Sequence, residues 1–104
     1  MALLVIVTVP KNKAQELAKI ILKKRLCACV NIIENVKSFF WWNGKIDKEE
    51  ESLLFIKTKN KVFRQLKKCI KENHPYTVCE TIAFNIDKIN KEYLKWLEEE
   101  INAT

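Results

Sequence analysis

The centre of the 104-residue sequence reads Val36-Lys37-Ser38-Phe39-Phe40-Trp41-Trp42-Asn43-Gly44-Lys45-Ile46. An Asn-Gly pair between two runs of β-forming residues predicts a β-hairpin, because a type I′ turn requires positive φ at both of its central positions. Gly44 is the only glycine in the sequence, so its place in this dipeptide is informative. We expect a long hairpin whose arms start near Cys29 and end near Thr58.

The patterns on either side of the hairpin complete a small α+β fold. The apolar run Leu3–Val9 predicts a central strand covered on both faces, and Cys79–Ile86 predicts a fourth strand. Three amphipathic helices are expected, with Asn12, Asn60 and Asn90 as their N-caps. The order βαββαβ plus a C-terminal helix predicts a ferredoxin-like antiparallel sheet with helices on one face, as a single domain of residues 1–104.

Composition excludes several classes of protein. The formal net charge is +6, carried by seventeen lysines and two arginines spread among acidic residues, which favours a solvated surface over a nucleic-acid interface. One glycine cannot build a phosphate-binding loop, and no catalytic triad is supported, so we expect no enzyme. The chain shows neither a signal peptide nor a run long enough to span a membrane, which predicts a cytoplasmic protein with four reduced cysteines.

The aromatic residues before the turn predict an assembly surface. Each arm of the hairpin would extend about 35–40 Å at the rise of a β-strand, comparable with the diameter of the whole domain. Part of the hairpin should therefore project, and its four consecutive aromatics would present apolar groups on both faces. We expect Phe39, Phe40, Trp41, Trp42 and the turn residue Gly44 to take part in contacts between copies of the chain.

Several short motifs, taken together and in order, resemble those of the CutA family of divalent-cation (copper) tolerance proteins. They run along nearly the whole chain, and comprise Thr8-x-Pro10, Leu26-Cys27-Ala28-Cys29-Val30-Asn31, Trp42-x-Gly44-Lys45-Ile46, Lys57-Thr58, His74-Pro75-Tyr76 with Glu80, and Tyr93-Leu94-x-Trp96. This resemblance implies a ferredoxin-like subunit of a homotrimer, a role in copper and divalent-metal tolerance, and no established catalytic activity. It also implies an architecture similar to that of PII-type signalling proteins. The alternative function is therefore a PII-like regulatory trimer that binds a small anionic ligand or a partner protein in clefts between subunits.

The resemblance also indicates where a metal ion or ligand would bind. His74 is the single histidine, and we expect it to be solvent-accessible and to bind copper or another divalent cation together with Cys79; the alternative is that it caps the preceding helix. Val7 and Asn73 stand where some family members carry a cysteine and a second histidine. The residues expected to face a ligand cleft are Glu80, Tyr76 and Lys57.

The remaining reactive side chains are expected to be structural. Cys27, Cys29 and Cys69 should behave as small hydrophobic residues, although Cys27 and Cys29 would suit a soft ion if both thiols faced one side. Consecutive residues of a strand alternate between its faces, so Glu49, Glu50 and Glu51 cannot converge on one ion. We expect them to form a solvated strand that resists aggregation.

Overall fold

The computed structural model describes residues 1–102, which form one antiparallel four-stranded sheet with the strand order β2-β3-β1-β4 and three helices. This confirms the predicted α+β architecture. The elements are β1 (Ala2–Pro10), a 3-10 turn (Lys11–Lys13), α1 (Ala14–Lys23), β2 (Cys29–Trp42), β3 (Lys45–Lys59), a second 3-10 turn (Asn60–Val62), α2 (Phe63–Asn73), β4 (Thr81–Asn85) and α3 (Lys91–Asn102).

The core lies between the sheet and helices α1 and α2. Alternate residues of β1 are fully buried here, and they pack with Leu54 and Ile56 of β3. The helices contribute their apolar faces, chiefly Leu17, Ile21, Leu66 and Ile70. The β1 residues that alternate with the buried ones, such as Leu4 and Ile6, are only partly buried. The expectation that β1 is covered on both faces is therefore wrong for a single chain, because α1 and α2 cover one face only.

The opposite side of the sheet, which we call the open face, carries exposed apolar side chains. Cross-strand pairing places Phe84 beside Leu4, Ile82 beside Ile6 and Ile33 beside Leu53 on this face. Ile33, Ile82 and Phe84 are 43%, 45% and 51% exposed. One end of the open face is approached by α3, whose Tyr93 lies near Cys29 of β2.

The hairpin extends beyond the rest of the sheet. Its turn has φ values of 50° at Asn43 and 78° at Gly44, as a type I′ turn requires. β1 pairs with β3 only as far as Glu51, so residues 37–50 form a two-stranded ribbon that has no third strand. A bulge between Ile33 and Val36, with Asn35 at φ 61°, marks where the ribbon begins. The molecule is accordingly elongated, with extents of 45 × 26 × 22 Å.

The helix ends differ from the predictions at two of the three caps. Short 3-10 turns precede α1 and α2, and the residues next to these helices, Lys13 and Val62, make no side-chain cap hydrogen bond. Asn12 and Asn60 lie within those turns and are not N-caps. Among residues 1–102 no helix is both long and apolar enough to cross a membrane.

Candidate functional site

A cavity of about 690 Å³ lies between the ribbon and the loop that follows α2. Its walls come from the ribbon, from the end of β1 and from the loop before β4. The lining residues are Thr8, Ser38, Phe39, Phe40, Trp42, Asp47, Glu49, Glu51, Pro75, Tyr76, Thr77, Val78 and Glu80. The cavity thus brings together Tyr76 and Glu80, predicted as cleft residues, with three of the four aromatics predicted for assembly.

The pairing of the ribbon explains which side chains face the cavity. Ser38 lies opposite Glu49, and Phe40 lies opposite Asp47, so that one face of the ribbon carries aromatic and acidic residues side by side. Trp41 and its partner Ile46 lie on the other face, where Trp41 is 73% exposed. None of the four aromatics is fully buried within one chain.

A buried carboxylate joins the ribbon to the loop after α2. The Tyr76 hydroxyl donates a hydrogen bond of 2.8 Å to Glu51 Oε2, and Glu51 is only 5% exposed. Burial raises the pKa of Tyr76, and the hydrogen bond to Glu51 and the charges of Glu51 and Glu49 raise it further. The expectation that Glu49, Glu50 and Glu51 form a solvated strand is wrong for Glu51, because the loop covers it.

His74 is buried, being 8% exposed, and both of its ring nitrogens have partners. Nε2 lies 2.7 Å from the carbonyl oxygen of Thr8, which can only accept, so Nε2 carries the proton. Nδ1 accepts a hydrogen bond of 3.1 Å from the backbone N–H of Tyr76. The predicted exposure of His74 is wrong, and its carbonyl partner is in β1 rather than in the preceding helix, so the capping alternative is wrong as well.

The ring of His74 therefore positions the loop after α2 against β1. It also stacks on Tyr76, with 4.8 Å between the ring centroids and 54° between the planes. Cys79, the second predicted metal ligand, is half-buried and packs against the core. No group of three or more His, Cys, Asp or Glu side chains among residues 1–102 is arranged to hold a metal ion. Within residues 1–102, one chain alone therefore brings no third such ligand to His74 and Cys79.

Lys57, the third predicted cleft residue, lies elsewhere on the open face. It is six residues from Glu51 along β3, about 20 Å at the rise of a strand. Its Nζ donates to Asn31 Oδ1, and Cys29 lies opposite it on β2. Cys29 also contacts Asn31, with its Sγ 3.7 Å from Oδ1.

The sequence interpretation missed Thr8, Asp47, Glu49 and Glu51 as cavity residues. Alternation along β3 was the available signal for the acidic residues, since positions 47, 49 and 51 must share a face. Nothing in the sequence indicates that Thr8 would lie beside the loop, because that contact joins residues 66 positions apart.

Known proteins share both the sequence pattern and the fold of this chain. The sequence model of the CutA1 divalent ion tolerance protein family matches residues 3–100. This chain belongs to the CutA1 family. The CutA divalent-cation tolerance protein of Pyrococcus horikoshii is 43% identical over 89 residues, which cover 86% of each chain.

Solved CutA1 structures match the fold closely. The divalent cation tolerance protein of Thermus thermophilus is 42% identical with a TM-score of 0.93, covering 96% of this chain and 98% of that one. A protein from Archaeoglobus fulgidus, described as a periplasmic divalent cation tolerance protein, is 37% identical with a TM-score of 0.95, covering 98% and 100%. The resemblance inferred from the motifs is thereby confirmed.

Proposed function

We propose that this CutA1 protein acts in the tolerance of divalent metal ions, copper among them, as a cytoplasmic homotrimer and not as an enzyme. The relatives named above are described as tolerance proteins, which supports the role. The four cysteines are free, as suits a reducing compartment.

The uncovered open face is the observation that carries the proposal of assembly. Ile33, Ile82 and Phe84 would remain in contact with water if the chain stayed alone. Contiguous apolar surface of this kind marks interaction sites.

The sheet edges favour a ring. The two outer strands of the sheet are β2 and β4, which differ in length and sequence. Contact between unlike edges of successive copies is heterologous, and such contacts close into cyclic assemblies when the rotation permits. The number three rests on the family resemblance.

Light scattering after gel filtration tests the assembly. We expect the wild type to have the mass of three chains at micromolar concentration. Phe84→Arg should reduce this mass to that of one chain, because it places a charge on the open face. Leu22→Arg is the matched control, since Leu22 is an exposed apolar residue of α1 on the opposite side, and it should remain a trimer. A monomeric wild type contradicts the proposal.

Metal binding is proposed to be weak and to require more than one chain. Imidazole and thiolate suit copper, and His74 and Cys79 are the proposed ligands. However, His74 would have to release the Thr8 carbonyl, and one chain supplies no third ligand within residues 1–102. We expect Cu(II) titration calorimetry to show weaker binding by His74→Gln and Cys79→Ser than by the wild type. Unchanged binding in both variants excludes these ligands.

The cavity supports small-molecule binding as a second function, as in the PII-like alternative. Its lining favours a cationic ligand, however, and not the anionic ligand expected for a PII-like protein. Four of the lining residues are carboxylates, and of the residues that the structure describes no lysine or arginine lines it. An anion would be repelled there.

A further inference from the structure

The basic residues gather on the outer side of the two core helices, α1 and α2. The sequence interpretation assigned the lysines to a solvated surface because they are spread along the chain. In the fold, residues 11–25 bring six basic residues and one acidic residue to this side, and residues 60–73 bring five basic residues and one acidic residue. The rest of the chain has eight basic and eleven acidic residues. The net charge of +6 is therefore unevenly placed, with +9 on the helix layer and −3 elsewhere.

On α2 the basic residues form a continuous stripe. Its members are all exposed, and they follow each other at steps of three and four residues, which places them on one side of the helix. They are Arg64, Lys67, Lys68 and Lys71. The other side of the same helix is buried in the core and consists of Leu66, Cys69 and Ile70. The stripe therefore points away from the sheet.

Helix α1 continues this surface across a groove between the two helices. The groove has a volume of about 340 Å³, and Lys24 and Lys68 both line it. We call the combined surface the basic face, and it comprises Lys19, Lys23, Lys24, Lys61, Arg64, Lys67, Lys68 and Lys71. None of the ion pairs found in residues 1–102 involves a member of the basic face.

This arrangement is unfavourable for the protein on its own. Like charges four residues apart on a helix repel each other, and Arg64 and Lys68 are such a pair. The first turn of α2 contains Arg64 and no acidic residue, although the N-terminal end of a helix favours negative charge. Carboxylates at either place would stabilise the fold better. Folding stability therefore does not explain the basic face, whereas an anionic partner would relieve the repulsion.

The chemistry of the basic face favours a nucleic-acid duplex as this partner. Lysine ammonium groups neutralise phosphates as point charges and do not read bases. Helices that dock on a membrane insert apolar side chains, but among residues 14–23 and 63–73 Leu22 is the one exposed large apolar side chain. Single strands are bound by stacking on aromatic side chains. The exposed aromatic residues of the described chain lie on the hairpin, β4 and α3 instead.

We propose that the basic face binds the phosphate backbone of double-stranded nucleic acid without reading its sequence. The stripe on α2 is about 10 Å long, which matches about three successive phosphates of one strand. The basic face lies on the opposite side of the sheet from the open face, so assembly through the open face does not use it. The inference goes beyond metal tolerance and does not rest on it.

Fluorescence anisotropy of a labelled DNA duplex of mixed sequence, titrated with the full chain, tests the proposal. About five contacts to phosphates should give a slope of about −4.5 for log K against log salt, a loss of affinity of about 500-fold between 50 and 200 mM NaCl. Lys67→Gln/Lys68→Gln should make this slope shallower by about 1.8 and weaken binding at least about tenfold at 50 mM NaCl. Glutamine is a good helix former, so α2 should remain intact in this variant.

Lys88→Gln/Lys91→Gln is the matched control. It removes the same charge from two exposed positions outside the basic face. Its salt slope should equal that of the wild type, and its affinity should stay within about threefold, because distant charges are largely screened. Light scattering on the same samples keeps a change in duplex binding separate from a failure of the proposed assembly.

Four results would overturn the proposal. Equal weakening in the two double variants would reduce the effect to net charge. Tighter binding of a single strand of the same sequence would exclude the duplex as the ligand. Binding to phosphatidylserine vesicles without binding to the duplex would assign the basic face to a membrane surface. The fourth is a wild type that leaves the anisotropy of the duplex unchanged at 50 mM NaCl.

Discussion

Tyr76 and Glu51 form the contact that fixes the cavity wall. The phenol donates to a carboxylate that has almost no access to water. Removing a donor from a buried charged acceptor costs more than the bond itself contributes, because the acceptor keeps its desolvation penalty.

Tyr76→Phe should therefore lower the free energy of unfolding by about 1–3 kcal/mol at neutral pH, measured by urea denaturation. Because the folded-state pKa of Tyr76 is raised, the unfolded chain loses the phenolic proton first as the pH rises beyond the ordinary value of about 10. The wild type should therefore keep its full advantage up to about pH 10 and lose it progressively as the pH rises from there towards the raised folded-state pKa.

Tyr93→Phe is the control for this prediction. It removes a phenolic hydroxyl whose pKa is raised chiefly by burial, with no carboxylate among the causes, and it should cost less. A Tyr76→Phe protein as stable as the wild type at pH 7 would show that Glu51 finds another donor.

Cys27 should be chemically inert in the folded protein. It is 2% exposed, and burial, with a smaller effect of Cys29, raises the pKa of its thiol to about 12. Only thiolates react readily with alkylating agents. Iodoacetamide at pH 8 should label the half-buried Cys29 first and Cys27 only after unfolding, as read by peptide mass spectrometry. Labelling of both at one rate would contradict this.

At the residue scale, the sequence identified His74 but not its surroundings. Its position before Pro75 correctly indicated a helix end at Asn73. The sequence did not indicate the Thr8 carbonyl, because that neighbour comes from β1 through tertiary packing. Local patterns thus located the residue, and long-range packing decided its exposure.

Among the elements, the hairpin was the most predictable. The Asn43-Gly44 turn depends on backbone sterics alone, so the dipeptide was sufficient to place it. The N-caps were less predictable, because 3-10 turns at Lys11–Lys13 and Asn60–Val62 moved the start of each helix beyond the asparagine.

Gly44→Ala should destabilise the ribbon. A Cβ at Gly44 would have nothing within 4 Å, so the cost is that of left-handed backbone alone, about 1–2 kcal/mol. We expect urea denaturation to show this loss for Gly44→Ala and a smaller one for Gly44→Asn, since asparagine tolerates positive φ. Equal stability of all three proteins would mean that the turn is frayed in solution.

For the whole molecule, the sequence was sufficient to predict the architecture of the sheet and helices. It did not predict that one face of the sheet would stay largely uncovered in a single chain. The apolar run of β1 suggested burial on both sides, but α1 and α2 cover one side and α3 approaches only one end of the other. Under the proposed assembly, neighbouring copies of the chain cover the rest of the other side.

The melting temperature should depend on protein concentration if copies cover the open face. Binding to the folded state alone stabilises it by mass action. Over a hundredfold dilution, differential scanning calorimetry should show a lower melting temperature for the wild type. The melting temperature of Phe84→Arg should not change. A wild type whose melting temperature is constant would argue against assembly.

The position of β1 in the sheet has a consequence for the order of events during synthesis. β1 is made first, yet it pairs with β3 from Lys59 to Glu51 and with β4 from Asn85 to Thr81. The most apolar strand must therefore wait for most of the chain to leave the ribosome before either partner is available. Distant pairings of this kind slow folding and expose hydrophobic surface to aggregation in the meantime. The nascent chain should accordingly depend on chaperones until β4 has emerged.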